Sequence, residues 1–251
     1  MDFINSLTLF FGSLIANTLA SLSGGGAGLL QFPLLIFLGL PFSIALATHK
    51  VASVALGMGA AYSHIKQGQL NYKTCVYLIM TGSVGVVIGA NIVLLIPDNI
   101  AQQLLGAMIL ALGVYSRFKK DLGQQEIPIH RTFNGWIVGG VGLAFIGIIN
   151  GSLTAGSGLL LTIFLVRWFG YSYKQAVAMT MICVGLFWNG IGGIAMVQAG
   201  APIHWIWLPI LLLSSFLGGS LGAVLANRSS NKVIKIAFEI LTFAVGIKLL
   251  L

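Results

Sequence analysis

Residues 74–96 read TCVYLIMTGSVGVVIGANIVLLI, 23 positions without a charged side chain. A helix of that length spans about 35 Å, enough to cross the hydrocarbon core of a bilayer. In water such a run would need burial on every side. The rest of the chain cannot supply that cover. Only 7% of its 251 residues are charged and 57% are hydrophobic, with a mean hydropathy of +0.99. A soluble domain carries roughly 25% charged residues. Lipid offers no partner for backbone N–H and C=O groups, so runs of this kind cross as helices. The chain therefore reads as an all-α, polytopic helical membrane protein. Its net charge of +8 does not point to nucleic acid, because most of the basic residues sit in connections between apolar runs.

Ten apolar segments are expected, at 4–22, 27–40, 44–65, 74–96, 100–116, 133–150, 157–169, 174–198, 204–226 and 231–250. Segments 27–40 and 157–169 are short. Each follows a glycine-rich stretch, Gly24–Gly28 and Gly151–Gly158. The two halves also repeat. Gly28-Leu29-Leu30 corresponds to Gly158-Leu159-Leu160, and Ala45-Leu46-Ala47 to Ala176-Val177-Ala178. Gly68 corresponds to Gly200, Gly85 and Gly89 to Gly218 and Gly222, and Gly113 to Gly246. The expected organisation is one membrane domain, 1–251. It comprises a first repeat at 1–116, a cytoplasmic linker at 117–132 and a second repeat at 133–251.

Basic residues set the expected orientation. If all ten segments cross, one set of loops holds Lys66, Lys73, Arg117, Lys119, Lys120, Arg131, Arg167, Lys174, Arg228, Lys232 and Lys235. Those loops are then cytoplasmic, and both termini lie outside a cell membrane crossed many times. Five crossings per repeat make the repeats inverted. No cleavable leader is expected from Met1–Phe11, which lacks a basic start.

Inverted repeats with interrupted helices suit a transporter. Free N–H groups at a helix N-terminus favour an anion, and glycine lets a ligand approach the backbone. Thr48-His49-Lys50 lies inside the third segment. An unpaired ammonium there costs about 2.5–3.5 kcal/mol on insertion scales. Lys50 therefore either snorkels outward or faces a polar cavity, where it would favour an anionic ligand. The candidate substrate-binding residues are Ser23, Gly24, Gly25, Gly26, Gln31, Thr48, His49 and Lys50 in the first half. Asn150, Thr154, Gly156, Ser157 and Asn189 are the candidates in the second.

Plainer readings stand beside these. The glycines can serve packing alone, and Gly85-x-x-x-Gly89 and Gly218-x-x-x-Gly222 read as helix-packing faces. Asn17 and Asn91 read as interhelical links. Glu239 reads as a structural partner of Lys235, and His64 and His204 as interfacial. Trp136, Trp168, Trp205 and Trp207 read as interface anchors. Cys75 and Cys183 read as buried apolar residues. GGGAG lacks the strand and acidic residue of a dinucleotide loop. No metal-ligand spacing and no nucleophile–base pattern appears, so neither a cofactor, a metal nor an enzyme is expected. A carrier, a passive anion channel and a membrane enzyme or assembly factor remain as function classes.

The stretch SGGGAGLLQFPLLIFLGLPFSIALATHK, followed by GQLNYK and GSVGVVIGA, resembles the first-half signature of the TauE/SafE sulfite-exporter family, whose members include 4-toluene sulfonate uptake permease-like transporters. GSLTAGSGLLLTIFLVRWFGYSYKQAVAMT resembles that family's weaker second repeat. The likeness covers nearly the whole chain. It implies a secondary transporter of sulfite, a sulfonate, thiosulfate or a similar small anion, working by alternating access. The implied partners are that anion and the lipid bilayer. Self-association, the coupling ion and the direction of transport stay open. His49 stands where related sequences often carry asparagine, and Ala176–Met181 supplies no second cation.

Overall fold

The computed structural model describes residues 3–24, 27–66, 68, 70–118, 126–228, 243–244 and 246–251. Its elements are helices: α1 (Phe3–Ser23), a 3-10 turn (Ala27–Leu29), α2 (Gln31–Phe37), α3 (Phe42–Lys66), α4 (Tyr72–Val93), α5 (Asp98–Phe118), α6 (Phe133–Ser152), α7 (Ser157–Trp168), α8 (Tyr173–Thr180), a π-helical segment (Met181–Trp188), α9 (Asn189–Gln198) and α10 (Leu208–Arg228). No strand occurs among the described residues. Nine of the ten expected segments coincide with these elements to within a few residues. The tenth, with Lys232, Lys235 and Glu239, lies largely outside the described residues.

Among the described residues, six helices are long and apolar enough to cross a membrane, counting α8, the π segment and α9 as one run at Tyr173–Gln198. Ala27–Phe37 and Ser157–Trp168 are the shorter apolar helices, at the positions expected for interrupted elements. α5 is 21 residues long but is not among the six. It buries Ala101, Leu105 and Ile109 along one face.

Lipid explains the outside of the bundle. α4 exposes Val76, Met80, Val84 and Ile88 at four-residue spacing, and α6 exposes Ile137, Val141 and Phe145 in the same way. Apolar stripes of this length are unstable in water. The centre belongs to α3 and Tyr173–Gln198. The apolar windows of both are 72% buried, against 28% for α6.

Glycine governs how the helices meet. α4 packs extensively on α6, and α1 on α10. A Cβ on Gly85 or Gly89 would strike the Ala144 or Ile148 carbonyl. A Cβ on Gly147 or Gly151 would strike that of Gly82 or Val86. Gly218 and Gly222 stand in the same relation to Leu14 and Thr18 on α1. These faces are packing surfaces, as their spacing indicated. Gly82 also makes room for the indole of Trp188, which is fully buried and donates from Nε1 to the Leu78 carbonyl at 3.1 Å.

Some plainer expectations need adjustment. Asn91 is exposed and donates to Val87 on its own helix, so it links no helices. Its position on α4 faces outward, which spacing in an apolar run does not disclose. His64, in the last turn of α3, is buried against the protein. Asn17 does link helices, donating to Ser215 on α10 at 3.1 Å. Cys75 and Cys183 are buried free thiols.

Residues 126–131 run back along the end of α7. Ile127 N–H donates to the Gly170 carbonyl at 2.8 Å, and Ile129 N–H to that of Phe169. Gly170 has φ +71°, and a Cβ there would collide with Ile127. Glu126 accepts from Gln175 at 2.9 Å and from Arg131 at 2.8 Å. The Gln175 amide, and then Arg131, hold its carboxyl below the usual carboxylate range. A depressed carboxylate stabilises the folded state above its unfolded pKa, and that contribution is lost as pH falls through the folded value. Acid is therefore expected to loosen this strap, seen as lower amide-exchange protection factors at Ile127 and Ile129 than at neutral pH. Equal protection at both pH values would count against it.

Candidate functional site

Thr48, His49 and Lys50 are consecutive on α3, about 100° apart around the helix, so they face different neighbours. Lys50 is fully buried and does not reach the exterior. Its Nζ donates to the Asn150 carbonyl at 2.7 Å. That carbonyl lies in the last turn of α6, where the helix dipole favours a cation. Space for the side chain comes from α9. A Cβ on Gly192 would lie 3.1 Å from Nζ and 3.2 Å from Cδ. Among the described residues Nζ has no carboxylate partner and no second acceptor. A charge-assisted hydrogen bond contributes about 1.5–3 kcal/mol. Desolvating an ammonium costs several. One carbonyl does not offset that, so Lys50 is retained at a cost to stability.

The Asn150 side chain extends the same cluster. Ser157 donates from Oγ to the Thr154 carbonyl at 2.7 Å, so its oxygen accepts from Asn150 Nδ2 at 2.9 Å. Nδ2 also lies 3.4 Å from Asn189 Oδ1. This orients the amide and leaves Asn150 Oδ1 buried with no partner among the described residues. Thr154 adopts φ +62°, rare for a β-branched residue. Its hydroxyl anchors it by donating to the Asn150 carbonyl at 2.8 Å. Gly156, with φ +72°, then turns the chain into the N-terminus of α7. The 3-10 turn of the first half meets this break directly. A Cβ on Gly28 would lie 2.6 Å from Thr154 Cγ2 and 3.0 Å from Ala155 N.

His49 faces the other way, into a second buried polar group. Its Nδ1 lies 2.8 Å from Gln31 Oε1 and its Nε2 3.2 Å from Ser53 Oγ. Gln31 Nε2 donates to Ser13 Oγ at 2.6 Å and to Ser215 Oγ at 2.8 Å. Asn17 donates to both hydroxyls at 3.1 Å. The Ser13 and Ser214 hydroxyls are 2.8 Å apart. All of these side chains are buried.

The structure thus brings Lys50 together with Asn150, Thr154, Ser157 and Asn189, with Gly156 at the α7 turn, and joins His49 to Gln31. It places the remaining candidates elsewhere. Thr48 Oγ1 accepts from the His204 backbone N–H at 2.9 Å, which ties down the loop before α10. Ser23 bonds Leu19 on its own helix, and its carbonyl accepts from Tyr173 at 2.8 Å. Gly24 packs on Val177, and its carbonyl lies 3.4 Å from Thr162 Oγ1. Gly25 and Gly26 lie outside the described residues. Sequence reasoning missed Ser13, Ser53, Ser214, Ser215 and Gly192. Ser53 at i+4 from His49, and paired serines inside an apolar run, were the available signals. Nothing local marks Gly192.

Gly192→Ala is expected to displace the Lys50 ammonium and to weaken its function at least tenfold, roughly the effect of losing one hydrogen bond of about 1.4 kcal/mol. Alanine suits a helix, so unfolding should be little changed. Flux and thermal unfolding on one preparation check this; full flux with alanine would show that the ammonium tolerates displacement.

Among the described residues no three His, Cys, Asp or Glu side chains converge. The site's chemistry is hydrogen bonding around one ammonium. No solved structure matches the chain. It is similar to a probable membrane transporter protein, ORF9, of Sinorhizobium sp (24% identity, covering 96% of this chain and 91% of that one). It is likewise similar to a probable membrane transporter protein of Haemophilus influenzae (23%, covering 96% and 92%) and to the probable membrane transporter protein YfcA of Escherichia coli K12 (24%, covering 96% and 88%). The pattern that defines the family described as Sulfite exporter TauE/SafE matches residues 9–249. With that match running from α1 almost to the last residue, this chain belongs to the TauE/SafE sulfite exporter family of membrane transporters.

Proposed function

We propose that the protein is a secondary transporter of a small sulfur-containing anion, such as sulfite, a sulfonate or thiosulfate, and that Lys50 binds it. One observation carries this reading: Lys50 is wholly buried, and two of its three N–H groups have no acceptor among the described residues. An anion at Nζ supplies them. The N-terminus of α7, one residue beyond Gly156, adds a helix dipole of the sign an anion needs. The open Asn150 Oδ1 in the same cluster suits a hydroxyl or amine on the substrate.

Alternating access between two inverted repeats, 1–116 and 133–251, is part of this reading. The packing favours it: α1 lies on α10 and α6 on α4, so the first helix of each half meets the fourth helix of the other. The cell membrane, with both termini outside, is the location that accompanies it. Counterflow in proteoliposomes is the test. Unlabelled sulfite inside is expected to accelerate entry of labelled sulfite or of a sulfonate. Flux that only equilibrates, without exchange, would make the protein a channel. Chemical change of the probe would make it an enzyme.

A further inference from the structure

We propose that the substrate brings its own hydrogen-bond donor. The site selects a monoanion that bears an O–H or N–H, such as a hydroxy- or amino-alkyl sulfonate or hydrogensulfite, over thiosulfate and plain alkane sulfonates. This rests on the transporter reading and narrows it. The Asn150 side chain carries the argument. It is wholly buried, and its Oδ1 has no partner among the described residues. The hydroxyls beside it are committed elsewhere. Ser157 donates to the Thr154 carbonyl at 2.7 Å, so its oxygen accepts from Asn150 Nδ2 at 2.9 Å. Thr154 donates to the Asn150 backbone carbonyl at 2.8 Å. Asn189 turns its Oδ1, another acceptor, toward Nδ2 at 3.4 Å. Exchanging the amide oxygen and nitrogen would set acceptor against acceptor at both contacts, so the network fixes which end is open. A buried amide oxygen left without a donor is costly.

The complementary charge sits at the same residue. Lys50 Nζ donates to the Asn150 backbone carbonyl at 2.7 Å. That carbonyl oxygen and Oδ1 are joined through one Cα, so bond lengths keep them within about 6 Å of each other. One small ligand therefore reaches both groups. The ammonium offers N–H groups to an oxyanion, and Oδ1 accepts from an O–H or N–H. The requirement is paired: negative charge at one end of the ligand, a donor at the other. A ligand that takes the place of solvent here gains affinity only if it reproduces both bonds. A site built to hydrogen-bond a hydroxyl rejects the analogue that lacks it far more strongly than an apolar pocket sorts by size. Asn17 Oδ1 is open as well, but its amide lies against the Ser13 and Ser215 hydroxyls, and nothing there calls for an anion.

Isethionate and propane-1-sulfonate are the first probes. Both are monoanions of nearly equal size, and they differ by a hydroxyl in place of a methyl. Titration calorimetry on the wild-type protein is expected to show isethionate bound at least tenfold more tightly. Asn150→Leu is expected to make the two affinities equal. Hydrogensulfite and sulfate, compared in one mildly acidic buffer, separate the sources of the donor. Hydrogensulfite preferred to sulfate, with neither sulfonate bound, supports the inference with an inorganic substrate. Isethionate preferred to propane-1-sulfonate supports it with an organic one. Equal affinities within both pairs overturn the inference and leave the transporter reading intact. So does a preference for isethionate that survives in Asn150→Leu, because the donor is then read elsewhere. If none of these anions nor thiosulfate binds, both fall. The wild-type ratios decide the matter even if the variant does not fold.

Discussion

Lys50→Ala is expected to lower anion flux in proteoliposomes by about a hundredfold, while the protein still inserts and stays folded. The flux loss corresponds to one charge-assisted hydrogen bond, about 1.5–3 kcal/mol, with no neighbouring cation to take its place. On stability two effects compete. Truncation leaves a hole beside Gly192 and removes the bond to the Asn150 carbonyl. It also removes an ammonium held away from water with one acceptor. The carbonyl keeps the Thr154 hydroxyl at 2.8 Å, so it is not left unpaired. Relief of a buried charge is worth several kcal/mol and outweighs one cavity of this size. The melting temperature in detergent should hold or rise. Lys50→Met, which fills the space without charge, should be at least as stable and equally inactive. Undiminished flux in either variant would remove Lys50 from the site. Lost flux together with a collapsed melt would make it structural.

Gly85→Leu is expected to have the largest effect on the fold. The obstacle is backbone, the Ala144 carbonyl and the Ile148 amide 2.8 Å from the added Cβ, and it cannot rotate aside. The whole α4–α6 contact would have to open, including the reciprocal positions Gly89, Gly147 and Gly151. Overpacking a core usually costs about 1–3 kcal/mol, and a helix pair wedged apart along its length lies above that range. Such a loss is a large fraction of a protein's total stability. The variant should yield little monodisperse protein. Val84→Leu, one residue away but facing outward, should behave as wild type. A well-folded Gly85→Leu protein would mean that α4 and α6 approach less closely than described.

The helices were legible because lipid imposes length and composition on anything that crosses it; the caps at their ends emerged only in the structure. Ser172-x-x-Gln175 forms a capping box at the start of α8, and Asn71 and Thr132 cap α4 and α6. The short elements after the glycine clusters were legible for the same reason, since glycine ends a helix and too few apolar residues follow. Part of the buried polar cluster around Lys50 was legible too. A lysine deep in an apolar run must have a reason to be there, and Asn150, Thr154, Ser157 and Asn189 do share its cluster.

Thr48 and Ser23 show where that reasoning stops. Both are polar and near the right motifs, yet their bonds go to the loop before α10 and to α1 itself. The π segment, the space left by Gly192 and the partition of His49 and Lys50 into separate networks were likewise invisible.

From its residues alone this chain determined that it is a bundle of membrane-length helices, where two of them break, and that one cation sits inside an apolar run. These follow from what each residue costs in hydrocarbon, a property of the residue and its near neighbours. Tertiary structure decided which carbonyl receives that cation, which serines face the histidine and which glycines touch backbone. Those depend on helix rotation and crossing, which are set by contacts between positions 100 or more residues apart.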